Sequence, residues 1–306
     1  MYLAGITDEA GEAIETQIRV TQELGWNHLE LRKVKVGDSK TAILHDLSDA
    51  DFEKAAEQVE AAGLHVSCLS STIANWGKCV TQPFDVSLEE ANRSIPRMKR
   101  MGTKMVRIMS FKVLRDADGK PLPVEQQQFE ERARRVRELV ALFADAGLEA
   151  VHENCMNYGG LGWQMTLELL EAVPGLKLVF DTGNPVFAPD FTKPNPRPMQ
   201  DALEFYRKVK DHVAYVHVKD GIWNAEKKKT EFCFPGEGEG RVPEILQELL
   251  ANGYDGGISI EPHMAKVFHD NAATTEEAAQ KCYETFVEYG RRLEAVIEAA
   301  KPAAIA

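Results

Sequence analysis

VPGLKLVFDTGN, residues 173–184, carries a helix end, a short strand and a carboxylate in one run. Gly175 suits the left-handed position at which helices end and which residues with a Cβ avoid. Leu176 to Phe180 then reads as a buried strand, with Asp181 at its mouth. A carboxylate taken out of water costs several kcal/mol unless it is paired, hydrogen-bonded or bound to a metal. The partner of Asp181 therefore has to come from elsewhere in the chain.

The same order of amphipathic helix, glycine, two or three residues and apolar strand recurs in ELGWNHLEL, AAGLHVSCL, RMGTKMVRI, DAGLEAVH and ANGYDGGISI. The glycines are Gly25, Gly63, Gly102, Gly147, Gly175 and Gly253. The last gap leaves room for one more unit, whose strand is AYVHV at 214–218, and YLAGIT at 2–7 supplies a first strand. Strands alternating with helices at this spacing predict a single (β/α)8 TIM-barrel domain over residues 1–306. The final helix is expected to open with a capping pattern from Thr274 to Glu277 and to turn Cys282, Phe286, Tyr289 and Leu293 inward.

Composition sets the surroundings. The 306 residues are 44% hydrophobic and 27% charged, with no apolar run near the ~18 residues of a membrane helix. The first residues enter a strand with no basic segment or apolar leader, so a cytoplasmic location is expected. Five scattered cysteines suit reduced thiols better than disulfides or a cysteine zinc site. A formal charge of −12 opposes binding to nucleic acid or anionic lipid and favours a small substrate. Assembly as a homo-oligomer is left open.

Connections between strand and helix separate the two ends of the barrel. Helix-to-strand turns are short, whereas 183–199, rich in proline, and 219–241 are long. Long connections at the carboxyl ends of barrel strands are where such enzymes keep their active sites. Four consecutive strands end there in a metal-ligating residue: Glu153, Asp181, His217 and Glu261. Three carboxylates and one imidazole suit one divalent cation, Mn2+ first, with Zn2+, Co2+ or Mg2+ as alternatives. That cation would pair Asp181.

The segments HENC, FDTGN, VHVKD, PGEGEG and ISIEPH resemble the sugar phosphate isomerase/epimerase group of xylose isomerase-like barrels, in the AP endonuclease family 2 superfamily. The resemblance implies a metal held by Glu153, Asp181, His217 and Glu261, with the two glutamates on opposite faces of a bound sugar. Many members carry a histidine three residues after the strand-six acid; here that place is Asn184. The group also contains endonuclease IV, whose trinuclear zinc site needs further histidines. Strands three, four and six, ending CLSS, RIMSF and DTGN, offer none.

The ligand set defines the expected chemistry. A proton next to a carbonyl becomes removable when a cation holds the developing oxygen and a base stands within reach. Glu153 and Glu261 are the catalytic candidates. Returning the proton to the opposite face or to the neighbouring carbon of an enediolate makes the protein a sugar epimerase or isomerase acting on a ketose or ketose phosphate. Eliminating a β-substituent makes it a lyase or dehydratase on an inosose or 3-keto-glycoside. A non-catalytic sugar-binding barrel is the remaining alternative to an endonuclease IV-like nuclease. Asn184, Lys219, Arg107 and Glu30 are expected to bind substrate. Lys219 shares a strand face with His217, whereas His152 points away from Glu153 into a structural position.

Overall fold

The computed structural model describes residues 1–265 and 275–301. Eight strands form one parallel sheet: β1 Tyr2–Gly5, β2 His28–Leu31, β3 His65–Ser70, β4 Met105–Ile108, β5 Glu149–Glu153, β6 Lys177–Asp181, β7 Val213–Val218 and β8 Gly257–Ile260. From β2 to β8 each strand pairs with the next, and β1 pairs with β8. A parallel bridge between Ile6 and Glu30 brings β1 and β2 together and closes the ring. The eight helices are α1 Ile14–Glu23, α2 Asp49–Ala61, α3 Asp85–Met101, α4 Phe129–Asp145, α5 Trp163–Ala172, α6 Ala202–Val209, α7 Val242–Ala251 and α8 Glu276–Ala300. Among the described residues, no helix is long and apolar enough to cross a membrane.

All six glycines of the repeated pattern lie at positive φ, between +67° and +86°. They turn each helix into the next strand. α8 is capped by Thr275, whose side chain accepts the Ala278 N–H; Thr274 lies outside the described residues. The connection 219–241 is more ordered than its sequence suggests. Asp220–Asn224 and Lys229–Cys233 form an antiparallel hairpin there, with the lysine run at its tip.

The barrel interior is layered by the two-residue period of its strands. Val151, Val179 and Tyr215 join Cys68 in a buried apolar plug. Each of the first three lies two positions before Glu153, Asp181 or His217, so the next layer toward the carboxyl ends is charged. Between sheet and helices a second, much larger apolar core fixes the strands, with Leu29, Ile108, Phe180, Val216, Ile258 and Phe286 all buried.

Two glycines separate backbone strain from packing. A Cβ on Gly147, at φ +76°, meets nothing within 4 Å, whereas one on Gly257 would lie 2.2 Å from the Tyr215 ring. Gly147→Ala is expected to lower unfolding free energy by about 1 kcal/mol. Gly257→Ala should lose more, because the barrel must shift. Urea unfolding of the two variants measures the difference.

Candidate metal centre

The four expected ligands meet. Glu153 and Asp181 end β5 and β6, His217 is the penultimate residue of β7, and Glu261 directly follows β8. One ligating atom from each lies within 4.8 Å of all the others, and all four side chains are buried. The fold thereby collects on one side of the barrel mouth residues that are 108 positions apart between first and last, 261 minus 153.

Asp181 and His217 each keep one atom without a hydrogen bond. Asp181 Oδ1 accepts the N–H groups of Gly183 and Asn184, both at 2.8 Å, while its Oδ2 accepts none. Lys219 Nζ stands 3.1 Å from that Oδ2 and 2.7 Å from Glu261 Oε2. An ammonium is thus already drawn between two of the four ligands. His217 Nε2 lies 3.1 Å from both Glu30 oxygens, and Nδ1, unbonded, lies 3.6 Å from Glu153 Oε1. The Glu30 carboxylate sets the imidazole, leaving Nδ1 for a metal, the arrangement in which an outer carboxylate orients a histidine ligand. Ser70 in turn hydrogen-bonds Glu30.

Charge balance at the mouth is uneven. Asp8, Glu9, Glu30, Glu153, Asp181 and Glu261 are buried carboxylates, and the permanent cations touching them are Arg32, Arg107 and Lys219. With neutral histidines, negative charge exceeds positive by three, which a divalent ion largely offsets. Without one, protons fill the gap. Burial works against a charged His217, but Glu30 and Glu153 beside it raise its pKa to about 10. Burial raises Asp181 to about 6 against the pull of Lys219. Burial opposes ionisation of Glu153, and Arg107 and His217 overcome it, holding the carboxyl at about 2. The donor set and its two orphaned atoms fit a single divalent cation.

Two further groups of ligating side chains are answered by the chain itself. In Glu9, Glu261 and His263, Arg32 bonds both carboxylates and His263 pairs with Glu9. In His45, Asp46 and Glu90, Arg93 pairs with Asp46 and Lys78 with Glu90.

The substrate-contact candidates divide. Arg107, Asn184 and Lys219 line a cavity of about 280 Å3 above the four ligands, together with Glu153 and Glu261. Arg107 Nη1 donates to Glu153 at 2.9 Å and Asn184 Nδ2 to its other oxygen at 3.0 Å. Glu30 does not line this cavity; it is fully buried behind His217. His152 faces outward and bonds Ser110 and Asn157. PGEGEG has a job its sequence does not disclose: the backbone N–H groups of Gly236, Gly238 and Gly240 all donate to the buried Asp220 carboxylate. A Cβ on Gly238 would fall 2.3 Å from that carboxylate.

Sequence reading missed Asp8, Glu9, Arg32 and His263. The acids had a signal, since Asp8 and Glu9 lie just beyond β1 much as Asp181 lies at the end of β6. Arg32 lies two residues beyond Glu30, on the same face by strand period. It spans Asp8, Glu9 and Glu261, tying the β1 and β2 ends to β8.

Residues 18–285 match the family described as xylose isomerase-like TIM barrel, and the chain belongs to that family. No curated protein sequence matches it. Solved structures with the same fold include a xylose isomerase-like TIM barrel protein from Mycobacterium smegmatis in complex with magnesium, 18% identical, TM-score 0.66, covering 97% of each chain. A probable 3-DHS dehydratase involved in petrobactin synthesis from Bacillus anthracis is 16% identical, TM-score 0.68, over 96% of this chain and 99% of that one. D-psicose 3-epimerase from Clostridium cellulolyticum H10, solved with D-tagatose, is 15% identical, TM-score 0.61, over 96% and 99%.

A metal entering this site must displace the proton on His217, whose pKa is raised to about 10. Between pH 9 and 6, Mn2+ affinity is expected to fall about tenfold per pH unit as the proton competes. Below about 6, where Asp181 also takes a proton, the fall should steepen. Calorimetric titration with Mn2+ across this range measures it, and His217→Gln should remove the tenfold slope above pH 6.

Proposed function

We propose that this protein is a divalent-metal-dependent sugar isomerase or epimerase that moves a proton next to a carbonyl. The observation that carries the reading is the convergence of Glu153, Asp181, His217 and Glu261 at the barrel mouth, with atoms of Asp181 and His217 left unbonded. Glu153, Asp181, His217 and Glu261 would hold the ion, Mn2+ by preference. When bound, the ion supplies a Lewis acid that stabilises negative charge developing on a substrate oxygen.

The protein's own groups do the rest. Glu153 and Glu261 both border the cavity and are both held ionised, so either can accept a proton from carbon. Asn184 and Arg107 fix the two oxygens of Glu153, while Lys219 and Arg32 fix those of Glu261. Each carboxylate thus has a set direction before the substrate arrives. The carboxylate that removes the proton becomes the acid and can return it to the neighbouring carbon of the enediolate; delivery to the opposite face requires the other carboxylate first to take a proton from solvent. Lys219, whose pKa is raised because the Asp181 and Glu261 charges outweigh its burial, acts as a fixed positive hydrogen-bond donor to substrate oxygen.

The substrate is a small carbohydrate, neither nucleic acid nor a membrane surface, in keeping with the cavity's size and the −12 charge. We place the reaction in the cytoplasm. The same constellation supports a second reaction, elimination from a keto sugar, and a protein described as a probable 3-DHS dehydratase shares the fold at 16% identity.

In deuterated water with Mn2+, the protein should put deuterium on the carbon beside the carbonyl of a ketose, ketose phosphate, inosose or 3-keto-glycoside. A product of unchanged composition assigns isomerisation or epimerisation, and loss of water or an alcohol assigns elimination. Glu153→Gln and Glu261→Gln should each lower the rate at least a hundredfold at matched metal occupancy. Full activity in either variant removes that residue from proton transfer.

A further inference from the structure

The small cavity over the metal centre is not the end of the space. It opens, past Trp76, Met156 and Phe187, into a second cleft of about 800 Å3 that shares those three residues as walls. A space of about 280 Å3 is at the small end of ligand clefts and fits a monosaccharide-sized group; 800 Å3 is near the large end. A free ketose would leave the larger space to water.

The larger cleft has a different chemistry. Leu114, Leu161 and Phe191 extend its apolar wall beyond the shared Trp76 and Phe187. Met156, exposed at the junction, adds an adaptable apolar side chain to the wall shared by the two spaces. The 3-10 helical turn Asn184–Phe187 couples the two spaces, since Asn184 bonds Glu153 at its start and Phe187 lines both clefts at its end. In a chain of net charge −12, the charged side chains that line the larger cleft are both basic, Lys112 and Arg115. Flat rings between aromatic walls gain stacking beyond their buried area, and the two cations favour an acidic substituent.

We infer that the substrate is an aryl-extended keto sugar, a keto-glycoside whose sugar ring lies over the metal centre and whose aryl group, carrying an acidic substituent, fills the larger cleft. The inference rests on the keto-sugar reading of the adjoining centre and names the substrate class for it. Trp76 and Phe187 grip the junction of sugar and aryl group, Phe191 and Leu114 cover the ring, and Lys112 and Arg115 receive its acid.

Calorimetry on the Mn2+-loaded protein with methyl, phenyl and 4-carboxyphenyl 3-keto-β-D-glucopyranosides tests it, together with benzoate, which has no sugar. The phenyl glycoside should bind at least tenfold more tightly than the methyl glycoside, and the 4-carboxyphenyl glycoside more tightly again. Phe191→Ala should shrink the phenyl-to-methyl ratio below threefold. Lys112→Gln, at an exposed position, should remove most of the further gain from the carboxylate, with manganese content and melting temperature measured on the same samples. Equal affinity for methyl and phenyl glycosides would overturn the inference, even if both exchange their protons. Conversely, benzoate binding that Phe191→Ala abolishes supports the aryl cleft even where no glycoside exchanges a proton; that result would count against the keto-sugar reaction instead.

Discussion

Too many carboxylates are buried at one end of this barrel for the chain's own cations to balance. Asp8, Glu9, Glu30, Glu153, Asp181 and Glu261 sit together in a space answered permanently by Arg32, Arg107 and Lys219. Removing such groups from water is tolerable only with compensating charge and hydrogen bonds. Much of the local architecture follows from that demand. Arg32 spans three acids from different strand ends, Gly183 has no side chain where Lys219 must pass, and Glu30 is walled in behind His217. Asp181 Oδ2, faced only by the Lys219 ammonium, and His217 Nδ1 are left without hydrogen bonds, and there the four side chains could hold a divalent cation.

The barrel was legible because each repeat writes its own boundaries. The helix-ending glycines all adopt left-handed backbone, and the apolar runs after them are the strands. The four candidate ligands stood out for a related reason: a polar residue at the end of a buried strand is locally anomalous, and four such anomalies share one end of the barrel. Strand period even orders the layers, with Val151, Val179 and Tyr215 forming the plug beneath Glu153, Asp181 and His217.

What the sequence concealed is pairing between distant segments. Arg32 reaches Glu261 across 229 positions because β1 and β2 meet on closing the ring, and no local pattern announces that contact. Glu30 looked like a pocket residue because its strand position is right; its side chain is instead taken by His217 and Ser70. Alternate glycines in PGEGEG could be read as a turn, but their acceptor, Asp220, appears only once the hairpin folds back on it. The larger apolar cleft likewise draws its walls from several connecting segments, 76–81, 112–121, 156–161 and 187–191, each ordinary by itself.

The central claim is that one divalent ion completes this buried charge set. Crystals grown with Mn2+ and measured at the manganese absorption edge locate the ion without reference to activity. The account predicts one anomalous peak per chain, within about 2.0–2.5 Å of oxygens from Glu153, Asp181 and Glu261 and of His217 Nδ1. Lys219 Nζ should then stand farther from Asp181 than its present 3.1 Å. No peak there at saturating Mn2+, or a stronger one among Glu9, Glu261 and His263, would contradict it.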